Sequence, residues 1–193
     1  MKPRARVTAI STTLLFAAIT ILGGCATTGM QRSATTTSKM QTVQADVQQA
    51  VAQVDTTGAS LLELIKPEQA DLKKAYETYA ANVARMETTG KQLDKHTDQM
   101  NASGKDYFTE WERQGNTYAN PQIRELSEQR RAELSEIFAE IPRSSVGVKG
   151  TLHSYLTDIK EIQKYLSNDL TPKGTESITP VARKAIIDGD NLK

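Results

Sequence analysis

Apolar or small residues recur through the middle of the chain at intervals that alternate between four and three. This 3.5-residue repeat is typical of a helix that packs one face, its seam, against another helix along its whole length. No proline interrupts the series, so it predicts a single helix over residues 67–118, about 50 residues and roughly 75 Å long. Because such a helix is not stable alone in water, the rest of the chain must supply partner helices. The seam residues are Leu72, Tyr76, Tyr79, Val83, Met86, Gly90, Leu93, Thr97, Met100, Gly104, Tyr107 and Trp111.

A narrower seam of small side chains precedes this helix and predicts a first helix over residues 36–65. Pro67 marks the break between the two, because proline suits the first turn of a helix but not its interior. The narrow seam consists of Met40, Val43, Val47, Ala50, Val54, Thr57, Leu61 and Leu64.

A third helical segment follows the turn at residues 116–121, where Asn120 can cap and Pro121 can take the first helical position. Pro142 removes a backbone donor, so we expect the helix either to kink or to break there. The seam then resumes and ends near residue 168.

The remaining residues predict a turn at 171–174 and a last short helix over 181–187. The fold class is therefore all-α, a long antiparallel coiled coil. From the helix lengths we expect residues 36–65, 67–97 and 142–168 to form a three-helix bundle. Residues 98–141 should project from it as a two-helix hairpin without a third covering helix.

Two glycines and an arginine stand out on the seams. Gly90 and Gly104 each cost about 1 kcal/mol of helix propensity, and close approach of a neighbouring helix would compensate for it. Arg130 occupies a seam position of the third segment, so packing should be looser there.

Composition and charge exclude several kinds of protein. Without Lys2, Arg4 and Arg6 the 24 basic residues fall to 21, against 23 acidic ones, and the net charge becomes −2. No basic stripe is present, so we expect no nucleic-acid partner. With one cysteine, Cys25, and two histidines, the sequence predicts neither a disulfide nor a metal site, and no cofactor.

Residues 1–24 have the organisation of a bacterial lipoprotein signal peptide. A basic start precedes an apolar core over residues 7–22, which is short for a membrane span. The core ends in Leu22, Gly23, Gly24 and Cys25, which resembles a lipobox. The resemblance implies cleavage before Cys25, a thioether lipid on its sulfur and an acyl chain such as palmitate on its amine. The alternatives are an uncleaved anchor and an ordinary signal peptide with a chance cysteine.

Residue Ala26 follows the cysteine instead of an aspartate. In enteric-type bacteria this implies sorting to the outer membrane, facing the periplasm, rather than retention in the inner membrane. Residues 25–38 are rich in Thr, Ser and Gly, and predict a lipidated flexible tether. The helical domain should then span residues 39–193.

Short stretches of the chain resemble a family of uncharacterised, mostly helical bacterial envelope proteins, many of them predicted lipoproteins. The resemblance implies a helical fold and an envelope location, and it carries over no catalytic or binding residue. It rests on Phe108-Thr-Glu110-Trp111-Glu112, Tyr118-Ala-Asn120, Arg124-Glu-Leu126-Ser127 and Tyr165-Leu166-Ser-Asn168-Asp-Leu170.

Four aromatic residues, Tyr107, Phe108, Trp111 and Tyr118, cluster near the end of the predicted hairpin. One interpretation is a local core, with Ile123 and Leu126 packed opposite. The other is a partner-contact patch, since a two-helix tip cannot cover four aromatic rings.

We do not expect an enzyme, because no nucleophile elbow, HExxH motif or phosphate-binding loop occurs. The preferred hypothesis is a lipid-anchored periplasmic rod that scaffolds an envelope protein partner or self-associates. The alternative is a carrier or sensor that binds an apolar ligand between loosely packed helices near Gly90, Gly104 and Arg130. A peptidoglycan link through the terminal Lys193 is a further, minor hypothesis.

Overall fold

The computed structural model describes residues 28–193, which form four helices joined by short turns. Helix α1 spans Gly29–Leu64, α2 spans Leu72–Gly115, α3 spans Pro121–Asn168 and α4 spans Pro172–Leu192. Successive helices run antiparallel, and no strand occurs among these residues. The predicted all-α fold is confirmed.

Capping residues fix where the helices begin. The side chain of Asn120 accepts a hydrogen bond from the backbone N–H of Gln122 at 2.9 Å, and Pro121 takes the first helical position, as predicted. Thr171 caps α4 in the same way by accepting from the N–H of Gly174 at 3.0 Å. Each cap satisfies a donor that the first helical turn leaves without a partner.

Helix α1 begins at Gly29, so residues 29–38 are helical and not part of a flexible tether. Thr28 and Gln31 form a capping box, in which each side chain accepts from the other residue's backbone N–H. Thr35 and Thr36 donate to the carbonyls of the preceding turn, so their hydroxyls are satisfied inside the helix. The composition that suggests a linker is thus compatible with a helix. Residues 1–27, including the predicted leader and Cys25, lie outside the described residues.

Helix α2 is shorter than predicted at both ends. At its start, a loop over residues 66–71 replaces the expected first turn, and at its end the helix stops at Gly115. Glu68 has a positive φ of 56°, which a helix cannot accommodate. The side chain of Gln69 closes the loop by donating to the carbonyl of Glu63 at 2.9 Å, and Asp71 caps the helix. Every residue of the predicted α2 seam is buried or half-buried, so the predicted seam is confirmed.

Helix α3 continues through Pro142, so the chain does not break there, and it ends at Asn168 as expected. Helix α4 has 21 residues and is much longer than the predicted last helix over 181–187. The predicted turn at 171–174 is its cap and first turn, because Pro172 suits the first helical position.

The two halves of the molecule differ in the number of helices they contain. In the closed half, α4 lies against both α1 and α3, and α2 contacts the same two helices, which gives a four-helix bundle where three helices were predicted. Helix α4 ends halfway along the rod, where Lys193 pairs with Asp55 of α1 at 2.5 Å. Of the described residues, those in the tip half beyond it belong only to α1, α2, α3 and the turn between α2 and α3. The core contains Val54, Leu61, Leu64, Tyr79, Val83, Met86, Leu152, Tyr155, Ile159, Ile162, Leu166, Ala182 and Ala185.

Helix α1 also covers most of the segment that was expected to project alone. The hydroxyl of Thr36 donates to the carbonyl of Ser103 at 3.3 Å, and Arg32 lies 3.9 Å from Glu110. A two-helix tip is therefore confined to the region around the α2–α3 turn, about residues 111–127. The longer uncovered hairpin over residues 98–141 depended on starting α1 at residue 36.

Candidate functional site: the tip and the open groove

Three of the four predicted contact aromatics form one cluster on α2. The Tyr107 ring lies edge-on to Phe108 at 5.0 Å and to Trp111 at 5.6 Å between ring centroids. Phe108 meets Phe138 of α3 at 5.8 Å. All these rings are half-buried, whereas Tyr118 is exposed in the turn. The cluster therefore contributes to the packing of α2 against α3, as the local-core interpretation predicted.

Two further contacts strengthen this packing. The indole N–H of Trp111 donates to the hydroxyl of Ser127 at 2.9 Å. The ring of Phe138 lies directly over Gly104, where a Cβ atom would overlap it. The close approach predicted from the seam glycines is confirmed here, and at Gly90 a Cβ would come within 2.9 Å of Leu156.

The exposed apolar residues of the tip are different ones. Ile123 and Leu126 do not pack opposite the aromatics as the local-core interpretation expected, and Leu126 is 65% exposed. Met30, in the first turn of α1, is 79% exposed. Together with Tyr118 they form what we call the tip surface (Met30, Tyr118, Ile123 and Leu126).

Ile123 and Leu126 are exposed for two different reasons. Ser127, Arg131 and Phe138 face α2, and Leu126 is rotated about 100° around α3 from Ser127. Ile123 lies on the same face as Ser127 but one turn nearer the α2–α3 turn, beyond the end of α2, which lies level with Ser127. The sequence alone does not fix which residue of α3 lies level with the end of α2.

Charged residues beside the tip surface pair with one another. Arg113 donates two hydrogen bonds to Glu110, at 2.7 and 2.6 Å, and chiefly for this reason the pKa of the Glu110 carboxyl falls to about 2. Arg131 pairs with Glu112 at 3.3 Å, and Arg124 donates to the carbonyl of Tyr118 at 2.8 Å. The tip surface is therefore a set of exposed apolar side chains beside charged residues, of which Glu110 and Glu112 are paired with arginines.

An open groove runs from the end of α4 towards the tip. Where α4 ends, Leu192 meets Val47 of α1, Leu93 of α2 and Val148 of α3 around one surface depression. Beyond this point no fourth helix lies between α1 and α3 among the described residues. Val47, Val148 and, farther towards the tip, Ile137 are exposed. We call the surface carrying these three residues the open groove.

A separate cavity of about 490 Å³ lies at the opposite end, in the closed half. The loop over residues 65–72 forms one wall, and the first turns of α4 form the other. Pro180 lines this cavity and has no N–H, so the carbonyl of Glu176 lacks its helical donor there. Ile65, Leu72 and the prolines give the cavity apolar walls, and charged residues such as Glu176 and Arg183 also line it.

This cavity is remote from the positions first considered for ligand binding. Side chains of α3 fill the space over Gly90 and Gly104. Arg130 is paired with Glu133 at 2.6 Å. Sequence reasoning missed the cavity because its lining depends on the loop conformation and on the true start of α4.

Both histidines pair with aspartates across helix interfaces. His96 Nδ1 lies 2.5 Å from Asp46, a buried residue of α1, and Gln92 donates to the same carboxylate at 3.2 Å. His153 Nε2 lies 2.8 Å from Asp94, whose other oxygen pairs with Lys149 at 3.1 Å. Within residues 28–193, no three metal-ligating side chains converge on a common point.

The terminal Lys193 is held against α1 and α4. Its ammonium pairs with Asp55 at 2.5 Å and with Asp190 at 2.9 Å. These two carboxylates raise the pKa of the Lys193 side chain well above its ordinary value, chiefly through the hydrogen bond to Asp55. A peptidoglycan link through Lys193 stays a prediction.

The fold and the surfaces define a class of protein: an all-α bundle with a filled core in one half and an open groove and apolar tip in the other. None of the helices in residues 28–193 is both long and apolar enough to cross a membrane. The chain belongs to the family described as Protein of unknown function (DUF2959), whose model matches residues 23–191. The predicted membership of an uncharacterised family is thereby confirmed. No curated protein and no solved structure matches the chain.

Proposed function

We propose that this protein is a lipid-anchored, periplasm-facing scaffold of the bacterial envelope that binds a protein partner along its open groove. The anchor is a lipid on Cys25, placed in the outer membrane by the residue that follows it. The proposal includes no catalytic step. The leader pattern supports the location, and the open groove supports the binding role.

The observation that carries the binding role is the contrast between the two halves. In the closed half, α4 completes the bundle and the central side chains of all four helices are buried. In the tip half, Val47, Ile137 and Val148 remain exposed along the groove that begins where α4 ends. Exposed apolar side chains grouped along one surface mark an interaction site, and a helix laid into a groove is a common mode of recognition.

The anchor is tested by metabolic labelling with a clickable fatty acid. Wild-type protein should carry the label and sediment with outer membranes, and the Cys25→Ser variant should do neither. Equal labelling of both proteins would rule out lipidation at Cys25.

The groove is tested with two matched substitutions of exposed isoleucines. Ile137 is 61% exposed in the groove, and Ile187 is 57% exposed on α4. Ile137→Ser and Ile187→Ser should each leave the melting temperature nearly unchanged, because surface substitutions typically change stability by less than about 0.5 kcal/mol. Only Ile137→Ser should reduce the yield of the partner crosslinked in cells from a photoreactive residue at position 148. Equal yields from both variants would rule out the groove as the contact surface.

A second candidate function, a carrier or sensor of a small apolar ligand, is favoured by the cavity in the closed half. Its volume of about 490 Å³ suits a small-molecule site. Thr179→Trp should fill the cavity and abolish binding of an apolar fluorescent probe such as N-phenyl-1-naphthylamine. Thr88→Trp, on an exposed face of α2, is the control. Failure of the wild-type protein to bind the probe, or retained binding by Thr179→Trp, would argue against this function.

A further inference from the structure

The first turn of α1 lies at the same end of the molecule as the α2–α3 turn. Arg32 of α1 approaches Glu110 of α2 at 3.9 Å, and Trp111 of α2 bonds to Ser127 of α3 at 2.9 Å. The start of α1, the end of α2 and the start of α3 therefore lie at nearly the same level. The tip surface is formed by residues from the start of α1, the α2–α3 turn and the start of α3.

The lipid attachment residue is tied closely to this end. Cys25 precedes Thr28, the N-cap of α1, by three residues. Three residues span at most about 11 Å even when fully extended. Because α1 begins at Gly29, the long tether predicted from the sequence is reduced to this short connection. A lipid on Cys25 consequently holds the tip, and not the far end, close to the bilayer.

The chemistry of the tip surface suits a bilayer. Met30, Ile123 and Leu126 are exposed apolar side chains, and no helix within residues 28–193 covers them. Tyr118 is an exposed aromatic with a polar end, a residue type enriched at membrane–water interfaces. The Glu110 and Glu112 carboxylates nearby are paired with arginines, whereas Glu125 and Glu128 have no ion pair among residues 28–193. The apolar side chains, and not charge attraction, therefore supply the contact.

We propose that the tip surface rests on the phospholipid bilayer, as a second contact beside the lipid on Cys25. This inference rests on the lipid anchor of the proposed function. A bilayer fits better than a protein partner, because four side chains at the end of a rod are too few for a stable protein interface. Stable membrane attachment also commonly combines a lipid with a second membrane-binding element.

The experiment uses two matched leucines on the lipidated full-length protein. Leu126 is 65% exposed at the tip, and Leu62 is 51% exposed near the far end of α1. Cys25 is the only cysteine, and lipid occupies its sulfur, so Leu126→Cys and Leu62→Cys each create a single free thiol. Each thiol is labelled with the fluorophore NBD, and the protein is reconstituted into phosphatidylethanolamine–phosphatidylglycerol vesicles that carry nitroxide-labelled acyl chains.

The label at position 126 should shift to shorter wavelength and be quenched several-fold more strongly than the label at position 62. Protein that carries lipid and floats with the vesicles, but shows no quenching at position 126, would overturn this inference and leave the anchor intact. Equal quenching at both positions would mean that the rod lies flat, which also overturns it. Absence of lipid on the wild-type protein would reject the anchor, and this inference with it.

Discussion

At the scale of single residues, glycines on the same kind of helix have different roles. Gly104 receives the ring of Phe138, whereas Gly147 has no atom within 4 Å of the position a Cβ would take. Gly189, which follows the predicted last helix over 181–187, lies inside α4, and a Cβ there would come within 2.9 Å of Tyr155. Seam periodicity predicted the close approach at Gly104. The role of Gly189 depends on a partner 34 positions away in the sequence, which local patterns do not identify.

Substituting two of these glycines with alanine should change stability in opposite directions. Gly104→Ala should lower the free energy of unfolding by about 1–3 kcal/mol, because the new methyl group overlaps the Phe138 ring. Gly147→Ala should raise it by up to about 1 kcal/mol through helix propensity. Urea unfolding followed by circular dichroism measures both. A stabilised Gly104→Ala protein would show that the contact with Phe138 is not tight.

At the scale of helices, the sequence predicts the interiors well and the ends poorly. The α2 seam follows from a long unbroken period that only a helix satisfies. The start of α1 does not follow from the sequence, because threonines suit loops and helix caps equally well. Only the structure shows that Thr28 and Gln31 form a capping box there. The length of α4 could not be predicted because Pro180 suggests a helix start, whereas it lies inside the helix. Packing of Ala182 and Ala185 in the core outweighs the cost of the proline. Tertiary contacts decide these ends.

Two buried tyrosines, one on α2 and one on α3, should make the free energy of unfolding fall at high pH. Tyr155 is buried, and burial raises the pKa of its hydroxyl to about 12 from an ordinary value near 10. Burial likewise raises the pKa of Tyr79, whose hydroxyl donates to the carbonyl of Ile159 at 2.7 Å. The folded state therefore holds these protons more tightly than the unfolded state. For Tyr155 the resulting contribution to stability is complete below pH 10 and is lost as the pH rises through 12.

For Tyr155 the complete loss amounts to about 3 kcal/mol, from a difference of about two pKa units. Urea unfolding at pH 9 and at pH 11 should therefore show a smaller decrease in stability for Tyr155→Phe than for the wild type. Tyr165→Phe, at a more exposed position on α3, is the control and should behave as the wild type. An identical decrease in all three proteins would contradict a role for Tyr155.

At the scale of the whole molecule, stability is distributed unevenly along the rod. The core residues of α3 occur between Leu152 and Leu166, and its first 30 residues contain none that is fully buried. The sequence predicted the long rod and an aromatic cluster at its end. It did not predict the open groove, because the groove exists only where α4 stops and α1 continues.

Hydrogen exchange should reveal this unevenness within one continuous helix. Amides of residues 152–166 should exchange only through global unfolding, because they belong to the four-helix core. Amides of residues 123–148 should exchange faster by local opening. Mass spectrometry of peptides from the native protein measures both segments. Uniform protection along α3 would show that the tip half unfolds together with the core.

Because α1 begins at the same end of the rod as the tip surface, the length of the rod sets how far the opposite end lies from the membrane. With 44 residues, α2 is about 66 Å long. If the rod stands upright with its tip on the lipid, the loop over residues 66–71 and its cavity lie about 65 Å or more above the bilayer surface. A partner embedded in the membrane then reaches only the tip half, whereas a small diffusing molecule reaches the cavity freely. The open groove and the cavity would then differ in which molecules can reach them, as well as in their chemistry.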